Sequence, residues 1–420
     1  MGFASAWLAE KALFPPLFKE APDKDTGIIV VVPAYNEPRI TPMLDSLAQC
    51  QIPECKVEVL IIINAPAVAD VESLINNRIC LENIRRWKKR NSDCFFRLYV
   101  FMAEKPSVTG WGVGLARKTG MDEAVRRYDL AGNPGGVIVN LDADCRVEAN
   151  YFVAIWKELA ENRQRSACSI YFEHPLSGSE FTGNIYRYIT LYELHMRYYL
   201  QGLKYTGFPY AFHTMGSAVA VKALPYIRSG GMNRRKAGED FYFIQKLVPL
   251  TGYFNLNITT VFPSPRESSR VPFGTGPAIT RMKGSDESSL LTYSTEAFIE
   301  LHFLFTGLPG LYNSSADGAN EYYETLPAGL KSFIEKKEWS DKISEIKTNT
   351  SGEGSFRKRF FDWFNMFRIV KFMNHVHQGI YEKRHVQDMA CEMLKMKGLE
   401  PGFCDPYELL IYYRSLEKPS

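Results

Sequence analysis

Asp142 and Asp144 stand one residue apart, where the apolar run "GVIVNL" (136–141) stops. Two carboxylates at that spacing, at the end of a buried strand, turn into one loop and together can hold a hard cation. Sites made of oxygen suit Mg2+ or Mn2+ rather than zinc. A divalent ion placed there neutralises charge that grows on a departing diphosphate. A solvated turn is the alternative, because aspartate is common where strands end. Three other stretches bear on the choice. "VVPAYNEP" (31–38) puts the Tyr35 ring where it can stack on a base and Glu37 where it can accept from ribose hydroxyls. "VTGWGVGLARKTGMDEA" (108–124) places glycines ahead of a helix and two cations, Arg117 and Lys118, one turn inside it. Helix N-termini and cations both favour phosphate. "RSGGMNRRKAGEDFYFIQKL" (228–247) sets Glu239 and Asp240 ahead of an aromatic helix.

The elements that must position these groups follow from pattern. "IIVVVP" (28–33), "KVEVLIIIN" (56–64), "FRLYVFMA" (96–103) and "GVIVNL" read as buried strands. Between them lie helical stretches. Thr41 is expected to cap the first and Pro42 suits its first turn. A basic surface helix is expected near 76–92, and a helical face over 112–128. Strands alternating with helices predict a mainly parallel sheet covered on both faces, with ligands outside the carboxyl ends of its strands. Asp142 and Asp144 fall at that rim. Beyond 150 the pattern becomes α+β, with a strand "ACSIYFE", an aromatic helix at 182–202, a glycine-rich turn "HTMGSAVAV", a helix near 239–248 and a strand at 253–262. From 285 the chain reads as helices and polar loops, with a linker expected at "KTNTSGEGS" (347–355).

Composition excludes several classes. The 420 residues are 45% hydrophobic and 23% charged, enough for a sizeable core, and the net charge of +3 is too mild for a nucleic-acid footprint. The eight cysteines form no Cys-x-x-Cys pair, which argues against a zinc site and fits a reducing compartment. No signal peptide and no run of 18 apolar residues is read, so a cytoplasmic protein is expected.

Taken in order, the motifs resemble those of family-2 glycosyltransferases with the GT-A fold, over roughly residues 28–280. "VPAYNE" looks like that family's opening nucleotide-binding strand and loop. "GVGLARKTGMDEA" is similar to its "ARN-x-G" helix, and "NLDADC" to its metal-binding Asp-x-Asp. "MGSAVAVKALPYIRSGGM" is similar to its acceptor-side segment and "GEDFYFIQKL" to its Glu-Asp motif. The resemblance implies a Rossmann-like α/β domain at 28–280, with a nucleotide-binding half (28–150) and an acceptor half (151–280). Residues 1–27 would be an N-terminal extension and 281–420 a helical C-terminal region. It implies that Pro33, Ala34, Tyr35 and Glu37 hold the nucleoside, and that Asn64 stands where the family usually has an aspartate contacting the base. Arg117 or Lys118 would face the nucleotide or its phosphates. Asp142 would face ribose and metal, and Asp144 would be the main ligand of Mg2+ or Mn2+. Asp240, with Glu239 beside it, would be the general base, with His213, Gly216 and Ser217 on the acceptor side.

The implied reaction is inverting, non-processive transfer of a hexose from a nucleotide-diphospho-sugar, UDP-linked by expectation, to a sugar or a lipid-linked acceptor of the cell-envelope polysaccharide kind. The chain departs from the pattern in two ways. "FPSPRESSRVPFGTGPA" has no histidine to complete a metal shell, which leaves Glu267 or water for that place and Arg266 and Arg270 for phosphate. The Gln-x-x-Arg-Trp motif of polysaccharide synthases is absent. A retaining transferase, a sugar-nucleotide nucleotidyltransferase and a non-catalytic sugar-nucleotide-binding protein stand as alternatives. His213 can equally be a packed core histidine. The stretch "FRKRFFDWFNMFRIVKFM" (356–373) either packs against the catalytic domain or lies on the inner face of a membrane, and the aromatic stretch with Trp7, Leu8, Phe14 and Phe18 has the same two readings.

Overall fold

Nine consecutive residues, Thr26–Ala34, are buried throughout and form strand β1. A strand apolar on both faces belongs at the centre of a sheet. β1 pairs in parallel with β2 (Lys56–Ile63) on one side and β4 (Val137–Asn140) on the other, and β3 (Arg97–Met102) extends the sheet beyond β2. The remaining strands are β5 (Arg146–Val147), β6 (Ala167–Phe172), β7 (Val219–Lys222) and β8 (Tyr253–Phe262), giving the order β3-β2-β1-β4-β7-β6-β8-β5. β7 runs antiparallel to both β4 and β6, while β6 and β8 are parallel. The expected α/β architecture, a mainly parallel sheet flanked by helices with a helical C-terminal region, is what the structure contains. The sequence marks β7 only as part of a glycine-rich turn. The four residues VAVK are too short a pattern to mark a strand, and its place comes from its two neighbours.

The computed structural model describes residues 2–103, 111–235, 237–268, 274–284 and 290–418. They form two compact units. The sheet belongs to the unit of Met1–Ile189, Phe212–Arg281 and Ser415–Ser420. In chain order its helices are α1 (Ser5–Lys11), α2 (Thr41–Ala48), α3 (Val71–Arg90), α4 (Val113–Ala131), α5 (Tyr151–Ile155), α6 (Gly183–Tyr205, which continues into the other unit), α7 (Ala223–Arg228) and α8 (Glu239–Leu247). Thr41 does not cap α2: the helix starts at Thr41 itself, behind Ile40, with no side-chain cap. Asp70 does cap α3, accepting from Ser73 N at 2.7 Å.

Helix α4 is the best-anchored of these. A Cβ on Gly120 would come within 2.4 Å of Val31 Cγ1, so only glycine lets the helix lie this close to β1. Farther along, buried Arg127 donates to both oxygens of Glu58 on β2, through NH2 at 2.8 Å and through Nε, and stacks 4.5 Å over the Tyr99 ring. The N-terminal residues cover the outer side of α4. Ala4 N and Ser5 Oγ donate to Asp129, Leu17 N donates to Glu123, and Phe14 stacks on Trp111 at 5.7 Å. The residues read as an N-terminal extension pack on this unit, with Trp7, Phe14 and Phe18 partly buried against Tyr226, Trp111 and Tyr99.

The second unit comprises Thr190–Ala211 and Met282–Arg414. The boundary does not fall at 280 alone, because the latter half of α6 belongs with the helices that follow. Its Tyr198 and Tyr199 pack on Phe298, and Phe208 in the segment after it packs on Phe361. Buried Glu193 accepts from Arg197 at 2.9 Å and from Arg414 at 2.7 and 2.8 Å. The aromatic-basic stretch forms two helices, Glu353–Trp363 and Met366–Val376, broken where Asn365 caps the second. Phe356, Phe360, Phe361, Phe364 and Phe372 are buried. The rings of this stretch are covered within the helical unit itself, Phe361 and Phe364 against Phe305. The expected linker at 347–355 is only the turn between two packed helices, Lys336–Thr348 and Glu353–Trp363. Among the described residues no helix is long and apolar enough to cross a membrane.

Substituting Gly120→Ala tests the contact between α4 and the sheet. Alanine favours helix by about 1 kcal/mol, but the clash with Val31 should outweigh that, for a net loss of roughly 1–2 kcal/mol in urea unfolding. An unchanged unfolding midpoint would show that α4 can lift from the sheet.

Candidate active site

The two aspartates sit on a tight turn that leaves β4. Leu141 N still pairs with Val31 O at 3.1 Å, and Cys145 N closes the turn on Asp142 O at 3.1 Å. The chain then enters β5, which pairs antiparallel with the end of β8, Arg146 opposite Phe262. That pairing carries the segment after β8 back alongside the turn. The Arg266 guanidinium is ion-paired with both acids, through Nε to Asp144 Oδ2 at 2.7 Å and through NH2 to the buried Glu37. Glu37 comes from the loop after β1. Asn36 in that loop adopts a positive φ of 52° and is pinned by α3: its N donates to Asn77 Oδ1 at 2.9 Å, and its Oδ1 accepts from Asn76 at 2.8 Å. Asparagine is among the few residues that tolerate this backbone region.

Arg117 lies at the centre. Its side chain is 4% exposed; NH2 donates to Asp142 Oδ1 at 2.6 Å and NH1 to Glu239 Oε1. A Cβ on Gly216 would lie 2.4 Å from Arg117 NH1, so the loop before β7 rests its backbone directly against the guanidinium. Glu239 and Asp240 open α8. Glu239 is buried, with its carbonyl held by Asn233 at 2.9 Å, whereas Asp240 is half-buried with Oδ1 accepting from Phe241 N at 2.7 Å.

Five carboxylates (Glu37, Asp142, Asp144, Glu239, Asp240) thus surround two guanidiniums (Arg117, Arg266). Burial by itself disfavours the charge on Arg117, but Asp142, Glu239 and Asp240 outweigh it and hold the charge more firmly than usual. Arg266 is held charged in the same way by Asp144 and Glu37. Burial pushes the Glu239 carboxyl up to about 7, against the pull of Arg117. Asp240 is raised too, chiefly by burial, with Arg117 again opposing.

The structure therefore gathers Glu37, Arg117, Asp142, Asp144, Glu239, Asp240 and Gly216. Lys118 is turned elsewhere, to Asp122 at 2.7 Å and the Trp7 ring at 5.6 Å, so of the two cations only Arg117 joins the acids. His213 is tied to Glu417 at 3.0 Å and packs on Phe172. Ser217 is buried and hydrogen-bonded to Cys145 behind the turn. Pro33 and Ala34 lie inside β1, paired with Ile62 and Ile63. Asn64 is buried, with its backbone bonded to Ala34 O and Asn77. Tyr35 is half-buried at the strand's end. Arg270 lies outside the described residues. Asn76, Asn77 and the double pairing of Arg266 escaped the sequence reading. Asn77 is 41 residues from its partner, and no local pattern marks it.

Asp142 and Asp144 present hard oxygen donors on one turn, with side chains 36% and 23% exposed. Among the described residues no group of three or more His, Cys, Asp or Glu side chains is placed to hold a metal. The pair fits Mg2+ or Mn2+ that takes its remaining ligands from water and substrate phosphate.

No family profile matches this sequence, and no curated protein matches it. Solved structures that resemble the chain include S. aureus TarS 1-349 in complex with UDP-GlcNAc, at 13% identity and a TM-score of 0.40, covering 84% of this chain and 93% of that one. Another is the mannosyltransferase PcManGT from Pyrobaculum calidifontis in complex with GDP-Man and Mn2+, at 13% identity and a TM-score of 0.38, covering 98% and 92%.

The raised Glu239 carboxyl has a stability consequence. Between the ordinary value of 4.5 and about 7 the folded chain keeps a proton that the unfolded chain has lost. The stabilisation this gives is complete at low pH and disappears as pH rises through about 7. Parent stability relative to Glu239→Gln should therefore fall by roughly 1–3 kcal/mol from pH 4.5 to 8. A difference that stays flat in denaturant titrations across that range would refute the shift.

Proposed function

We propose that this protein is a glycosyltransferase of the family-2 type, moving a sugar from a nucleotide-diphospho-sugar to a hydroxyl acceptor with inversion and without processive elongation. The observation that carries the reading is the Arg117 junction. One buried guanidinium joins Asp142, at the rim where α/β sheets bind ligands, to Glu239, whose neighbour Asp240 is half-buried. A donor-side acid and a candidate base are thereby set around a single centre.

In this reading Tyr35 and Glu37 line the nucleoside side and the Asp142–Asp144 turn faces the diphosphate. A bound Mg2+ or Mn2+, held by Asp142 and Asp144, supplies the charge that stabilises the departing diphosphate. Asp240 accepts the proton of the acceptor hydroxyl as that oxygen bonds to the anomeric carbon. On the opposite face the carbon–oxygen bond to the diphosphate breaks, and the leaving group keeps the electron pair. The carbon passes through an oxocarbenium-like state, as in glycoside hydrolysis. An Asp240 carboxyl raised by burial is a stronger base than an ordinary aspartate. Glu239 acts through Arg117 as a positioning residue. Donors carrying UDP are the first choice, with a sugar or a lipid-linked sugar as acceptor.

The test is a panel of UDP- and GDP-sugars with Mn2+ and simple sugar acceptors, read as nucleoside diphosphate release. Asp240→Asn should lower turnover by about 10²–10⁴-fold while nucleotide affinity stays within about twofold. If release is absent for every donor, or if the substitution removes binding together with turnover, the assignment fails.

A further inference from the structure

Arg266 holds two of the acids to which the proposed function gives different tasks. Its NH2 end is paired with Glu37 on the nucleoside side, and its Nε with Asp144, the expected metal ligand. These two contacts are not equivalent. Glu37 is 2% exposed, and a buried carboxylate needs a counter-charge whatever else is bound. Asp144 is on the open turn and can exchange its partner for another cation. A divalent ion and a guanidinium sharing one carboxylate oxygen repel each other at close range. A diphosphate brings anionic oxygens whose spacing suits the guanidinium fork.

We infer that Arg266 is an exchangeable counter-ion for the donor site. With no donor it neutralises Asp144 and competes with a divalent ion there. When the donor diphosphate and its ion arrive, the guanidinium pivots on Glu37, releases Asp144 and takes a phosphate oxygen. Asp144 thus faces a cation in both states, and the ion is held firmly only when the diphosphate comes with it. The inference rests on the donor-site reading and adds to it a residue that selects for the metal–diphosphate pair over the metal alone.

Calorimetric titration of the full-length protein tests this without an assay of turnover. Arg266→Gln should bind Mn2+ alone about tenfold more tightly than the parent, because the competing charge is gone, and UDP in saturating Mn2+ about tenfold more weakly. Arg266→Lys keeps the charge without the fork. It should leave Mn2+ affinity near the parent's and weaken UDP, and it serves if Arg266→Gln does not fold. Parent protein that binds UDP or GDP, with both affinities unchanged or both weakened in Arg266→Gln, overturns the inference alone. Parent protein that binds no nucleoside diphosphate overturns the donor-site reading, and the inference falls with it.

Discussion

A guanidinium that is 4% exposed cannot shed its proton and cannot be left without partners. That constraint on Arg117 organises the candidate site. It obliges Asp142 and Glu239 to converge, and so obliges the end of β4 and the start of α8 to meet over α4. It also explains why α4 is seated so firmly. A shift of an ångström in that helix would strand a buried charge, and Gly120 against Val31, Arg127 on Glu58 and the N-terminal clasp on Asp129 all resist such a shift. Strong packing far from the rim is thus part of what keeps the acids in register.

Much of this was legible in the sequence where the signal is local. Apolar β-branched runs announce central strands, and an abrupt change to Asp-x-Asp marks a strand's end. The stretches singled out by motif order lie close together in space: Arg117 pairs with Asp142 and Glu239, and Arg266 with Glu37 and Asp144. What could not be read depends on topology. Arg117 and Glu239 are 122 residues apart, and their ion pair exists because the sheet order places α8 beside α4. β7 and the seating of Gly216 on Arg117 have the same origin. The choice between Arg117 and Lys118, adjacent on one helix, turned on which side of α4 the sheet covers, a fact external to the motif.

The two aromatic segments illustrate a different limit. A stretch dense in aromatic rings announces that the rings will be covered, without naming the cover. Around Trp7 and Phe14 the cover is α4 and its neighbours; at 356–373 it is the helical unit's own phenylalanines. Arg368 shows how the cations are accommodated, lying 4.6 Å from the Trp363 ring while paired with Glu338 at 2.7 Å.

Along the chain the two units alternate. The sheet-bearing unit is assembled from three stretches and the helical one from two, and the last of the three supplies Glu417 to His213 and to Asn257. Neither unit corresponds to a continuous piece of gene. Neither can therefore be excised as one uninterrupted segment, and a cut at Ile189–Thr190 or Ala211–Phe212 would part residues that pack in the same core.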